Sequence, residues 1–95
     1  MPLFLDIHRN VEGFTAEAIE SRHIRDLELQ DKYNVKMLKY WYDVDTRTAF
    51  CLMMGPSKEA CTALHSESHG LVADEIFEVT EGGEPEINNP DMTER

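Results

Sequence analysis

The chain has 95 residues, enough for one domain with a modest core. It carries 19 Asp and Glu against 9 Lys and Arg, a net charge of −10, which disfavours nucleic acid and anionic membrane as partners and concentrates cations at the surface. Two cysteines, Cys51 and Cys61, are too few for a secreted disulfide framework and read as free thiols of a reducing, cytoplasmic compartment. Near the N-terminus an acid stands at position 6 and no apolar run exceeds Leu3-Phe4-Leu5. The pattern therefore predicts neither a signal peptide nor a membrane span.

Pro2 to Arg9 reads as a strand, because Leu3, Leu5 and Ile7 alternate with Phe4, Asp6 and His8. A loop with Gly13 as its turn residue follows. Thr15 can cap a helix that runs to about Tyr33, with Asn34 as its stop. Ala16, Ile19, His23, Leu27 and Gln30 form its predicted inward stripe at spacings of three and four. His23 then sits on or beside the buried stripe, as a core histidine bonded to a neighbour or as a ligand.

Val35 to Asp43 is a second strand, with Val35, Met37 and Trp41 on one side and Leu38, Tyr40 and Tyr42 on the other. A hairpin loop over 43–47 leads to a third strand, Thr48 to Met54, with Phe50, Leu52 and Met54 opposite Ala49, Cys51 and Met53. Gly55-Pro56 ends it, and Ser57 caps a second helix that faces the sheet through Ala60, Leu64 and Ser68 and ends at His69. Asp74 to Thr80 is the fourth strand. Residues 1–80 form the domain. Residues 81–95, with five acids and one Arg among Gly and Pro, read as an acidic mobile tail.

The order strand, helix, strand, strand, helix, strand predicts an α+β, ferredoxin-like βαββαβ domain: a four-stranded antiparallel sheet, order 4-1-3-2, with both helices on one face. Strands two and three are apolar on both sides, so the open face needs a cover, and a two-fold homodimer is the economical one.

The last turns of the second helix carry the main chemical signal. His65 and His69 are four apart and share a face with Cys61, close enough for two imidazoles to bind one divalent cation, and Gly70 closes the helix. The topology brings His8, Glu12, Asp74 and Glu75 to the same end of the domain. Alternation, however, sets His8 opposite Leu3, Leu5 and Ile7. With that trio expected under the helices, His8 is expected on the open face, away from His65. Ser66 follows the first histidine where a zinc-protease helix needs Glu, which removes peptide hydrolysis. Imidazole with carboxylate suits nickel, zinc or copper.

The stretches Asp6-Ile7-His8, Val11-Glu12-Gly13, His23, Lys39-Tyr40-Trp41, Phe50-Cys51-Leu52 and HSESHGLVADE over 65–75 resemble a family of small bacterial ferredoxin-like proteins, one characterised type of which is a nickel-binding homodimer. The resemblance covers about residues 1–80. It implies the same fold, a dimer, and nickel bound by His65 and His69, with His8 and His23 as further ligands. To these the topology adds Glu12 and Glu75. The implied role is metal storage, buffering or sensing, with no reaction attached. Two other classes stand beside it. One is a small dimeric α+β-barrel enzyme, an oxygenase or isomerase, with a pocket on the open face lined by Asp6, His8, Tyr40 and Cys51. The other is a ligand-sensing interaction module that uses the tail as a handle.

Overall fold

The computed structural model describes residues 1–83, so the expected tail lies outside the described residues from position 84 onward. The elements are β1 (Leu3–His8), α1 (Ala16–Leu29) continued by a 3-10 turn (Gln30–Tyr33), β2 (Lys36–Asp43), β3 (Thr48–Met54), α2 (Lys58–Ser68) and β4 (Glu75–Val79). The sheet order is β2-β3-β1-β4 with every neighbouring pair antiparallel. This is the ferredoxin-like α+β plan that the element order predicts.

The helix starts and stops have local causes. Thr15 Oγ1 accepts the Ala18 amide at 3.0 Å, and Ser57 Oγ accepts the Ala60 amide at 3.1 Å. Each cap satisfies an amide that the helix itself leaves unpaired. Asn34, at φ 57°, takes the left-handed turn out of the first helical segment. Gly70, at φ 80°, does the same for α2, and the amides of His69 and Gly70 both bond the His65 carbonyl. The helices cover the sheet face that carries Phe4, Met37 and Met53, and with Cys61 and Leu64 these form the apolar core.

Three expected phases are shifted. In β1 it is Phe4, Asp6 and His8 that are buried beneath the helices, while Leu3, Leu5 and Ile7 lie on the open face. Alternation separates the two sets without saying which is inward. Phe4 fills the core, and Asp6 and His8 neutralise one another there, so the mixed set wins the covered face. In α1, Ile19 and Asp26 are buried, His23 is half-buried, as is Gln30 in the turn that follows, and Leu27 is 42% exposed. The helix is turned so that a carboxylate, not a leucine, reaches inward.

In β2 the pairing slips between Met37 and Lys39, so Leu38 interrupts the alternation. Met37 then lies opposite Met53 and Tyr40 opposite Cys51 on the helix side, while Trp41 lies opposite Phe50 on the open side. Met37 and Trp41 therefore do not share a face. The inner face of α2 is also richer than predicted, because Cys61 and His65 are buried together with Leu64.

Met53 is fully buried in the core. Met53→Ala should lower unfolding free energy by about 2–5 kcal/mol in urea titrations. Ile24→Ala, on the exposed side of α1, should change it by less than about 0.5 kcal/mol. The reverse ranking would contradict this packing.

Candidate metal centre

The C-terminal end of α2, the end of β1 and the last turn of α1 meet in a buried polar cluster. His65, 1% exposed, is its hub. Its Nε2 stands 2.9 Å from Asp6 Oδ2, an ion-pair contact off hydrogen-bond alignment, and its Nδ1 stands 3.2 Å from Asp26 Oδ1. Asp6 Oδ1 lies 3.1 Å from His8 Nε2 and accepts the Cys51 amide at 3.1 Å. His69 Nε2 is 3.3 Å from Asp26 Oδ1 and 3.2 Å from His65 Nδ1. His69 Nδ1 accepts the Leu71 amide at 3.1 Å, so that nitrogen carries no proton and Nε2 is the donor toward Asp26.

Charge pairing overcomes burial throughout the cluster. Burial pushes the His65 imidazolium down, but Asp26, then Asp6 and Cys51, raise it to about 12. Burial likewise lowers His8, while Asp6 and Cys51 bring it up to about 9. Asp6, raised by burial, is drawn down to about 2 by His65 and His8. Asp26 is raised by burial and pulled well below the ordinary carboxylate range by His65 and His69. Without a cation, two imidazoliums thus answer two carboxylates, the arrangement that buried charges require.

His8, His65 and His69, all expected as ligands, are brought together. His8 reaches the cluster because its strand face is the covered one. His23 lines the same cavity, but its ring lies against Tyr40 at 4.6 Å between centroids, and its imidazolium is disfavoured mainly by burial. Glu12 is exposed and offers only its carbonyl, to Arg22. Arg9 takes the remaining acids: it pairs with Glu75 and donates its amide to Asp74 at 2.6 Å. Two buried carboxylates join the cluster beyond the expected ligands: Asp26, which the histidine spacing does not point to, and Asp6, which the alternation of β1 assigns to the open face. Their signals were faint: an acid between Leu5 and Ile7, and an acid three residues after His23. The cavity that an enzyme would need lies on the helix side, not on the open face; His8, Tyr40 and Cys51 line it.

Two donor groups result, and both use His65. Asp6, His8, Cys51 and His65 form one, and Asp26, His65 and His69 the other, each with ligand atoms within 4.8 Å of one another. Donors about 2.0–2.3 Å from a shared ion stand about 3–4 Å apart. The contacts of 2.9 to 3.3 Å within the cluster approach that spacing, so the residues fit a transition-metal ion.

The sequence matches the family described as "Nickel responsive protein SCO4226-like" over residues 4–79. The chain belongs to this family. The crystal structure of SCO4226 from Streptomyces coelicolor A3(2) superimposes with a TM-score of 0.78 at 37% identity, over 85% of this chain and 99% of that one. No curated protein matches the chain. The family covers every residue of the cluster, from Asp6 to His69.

The cluster makes stability depend on pH. The raised pKa values of His8 and His65 stabilise the fold fully below about 6.5, and that contribution is lost as pH rises through about 9 and about 12. The depressed Asp6 contributes above about 3.8 and loses its effect as pH falls through about 2. The melting temperature of chelator-treated protein should therefore be highest between about pH 4 and 6.5 and fall from there to pH 9. A curve that is level or rising over pH 6.5–9 would show that these ion pairs do not hold the fold.

Proposed function

We propose that the chain binds a divalent transition metal, nickel in keeping with its family, in the buried cluster, and that it serves nickel sensing or sequestration. The observation that carries this reading is the sharing of His65 by two donor groups of imidazoles and carboxylates. Asp26, His65 and His69 would hold the ion on the α1 side of the ring, or Asp6, His8, Cys51 and His65 on the β1 side. Imidazole and carboxylate donors suit nickel, zinc and copper, and a thiolate adds affinity for softer ions.

Protons compete for the same atoms. His65 and His8 hold theirs above neutral pH, so binding must displace them. For His69 Nε2 to take an ion, its proton must leave that atom. If the ring stays neutral the proton moves to Nδ1, and the hydrogen bond from the Leu71 amide is lost. The turn after α2 is thereby coupled to occupancy, which suits a responsive protein.

Calorimetric titration of chelator-treated protein with nickel tests the reading. His65→Ala should weaken binding at least tenfold on either side of the ring, His69→Ala should do so for an ion on the α1 side and His8→Ala for one on the β1 side, whereas Glu12→Ala and Glu75→Ala should leave it unchanged. Asp26→Asn keeps the shape of its side chain and provides a second variant should His65→Ala unfold. Affinity should keep climbing between pH 7 and 9, by about tenfold per unit for each displaced proton. Wild-type affinity in the His65 variant, or in both the His8 and His69 variants, would sink the proposal.

We also propose that the chain is a homodimer through the open sheet face. Leu5, Ile7, Phe50 and Leu52 lie there beside Trp41, 48% exposed, and Phe77, 45% exposed, a broader apolar surface than a lone domain ordinarily shows to water. Sedimentation at micromolar concentration should give twice the chain mass, and Trp41→Glu should shift it toward the monomer. A wild-type chain that sediments as a monomer would rule this out.

A further inference from the structure

His65 offers its two ring nitrogens to different neighbours. Nδ1 stands 3.2 Å from both Asp26 Oδ1 and His69 Nε2, and those two atoms are 3.3 Å apart, so the three form a nearly equilateral triangle. Nε2, across the ring, stands 2.9 Å from Asp6 Oδ2. Both atoms of that second contact are buried and have no hydrogen-bond partner among the described residues. Their side chains are among the most deeply buried in the domain, with His65 1% and Asp6 0% exposed. His8 and Cys51 complete the donor group on that side, with ligand atoms within 4.8 Å of one another.

We propose that the cluster holds two divalent transition-metal ions at once, bridged by the imidazolate of His65.

This rests on the metal reading above and sets its stoichiometry at two ions per chain. The two nitrogens of an imidazole point away from each other, so no single ion can reach both, whereas each nitrogen can hold an ion of its own. Apart from His65, no residue belongs to both donor groups, so filling one withdraws no donor from the other. On the α1 side, the triangle has the spacing of three donors placed about 2.0–2.1 Å from one ion. On the β1 side, the two unpaired atoms are a separate sign of a ligand. A buried nitrogen and a buried oxygen that lack partners call for one. The hydrogen bond between them is off alignment, and an ion would accept a lone pair from each. Charge also balances. Two ions bring four positive charges, and the carboxylates of Asp6 and Asp26, the Cys51 thiolate and the His65 imidazolate bring four negative ones. A bound cation acidifies the ligands around it and deprotonates a coordinating thiol outright, and the protons displaced pass to solvent.

The test is calorimetric titration of chelator-treated, full-length protein with nickel, read for the number of ions per chain. Wild type should take two. His8→Ala and His69→Ala should each take one, with unchanged circular dichroism spectra, and His65→Ala should weaken both steps at least tenfold. The His8 and His69 variants keep the count readable should His65→Ala unfold. A second readout addresses the bridge itself. In wild type loaded with two cobalt(II) ions, the low-temperature electron paramagnetic resonance intensity should fall well below the sum for the two single-ion variants, because an imidazolate couples the two spins. One nickel per chain in wild type would overturn the bridge and leave the metal reading intact. So would two ions whose cobalt spins are uncoupled. Two ions kept at wild-type affinity in both the His8 and His69 variants, or no nickel at all in wild type, would sink both readings.

Discussion

His65 of α2 stands between Asp6 of β1 and Asp26 of α1, at 2.9 and 3.2 Å, so a single imidazole ties the sheet to both helices. Nearly everything unusual in the domain follows from it. Two carboxylates, 0% and 2% exposed, would be very costly to bury alone. With a proton on His65 and another on His8 they become a neutral cluster. The phase of β1 and the rotation of α1 each bring a carboxylate to that ring.

The interior is consequently divided. One part is apolar, built from Phe4, Met37, Met53, Cys61 and Leu64. The other, near the end of β1 and of α2, is polar and contains a cavity. The apolar part supplies the non-directional burial that stabilises a small domain. The polar part demands directional partners, and it is the only part whose chemistry can distinguish one ligand from another. A domain of this size gives up core volume to the cluster, and the wide apolar face on the far side of the sheet is where a second chain would restore it.

The same balance links protons to cations. A divalent ion can take the place of the two imidazolium protons without any change in net charge. In the proposed metal-bound state the cluster would keep the same net charge, and the hydrogen bond from the Leu71 amide to His69 Nδ1 is the contact that would register an ion on His69 Nε2.

Much of this was legible in the residues alone. Thr15, Ser57, Asn34 and Gly70 mark the helix ends because capping and left-handed turns are local chemistry. Element order and the handedness of crossovers sufficed for the sheet order and for bringing His8 to the same end of the domain as His65 and His69, but not to the same face of the sheet. What lay beyond the sequence was phase. Period-2 alternation in β1 cannot say which set faces the helices when both contain apolar residues, and the helical stripe of α1 accommodates either Leu27 or Asp26. Each choice depends on a partner from another element: Asp6 is inward because His65 and His8 meet it, and Asp26 because His65 and His69 do. Glu75 looked like a ligand by position but is engaged by Arg9, and the slip at Leu38 that turns Tyr40 toward the cavity has no local signature. Local residues determined the elements and their order; only tertiary packing decided which charges are buried, because a buried charge is stable only against partners that other elements supply.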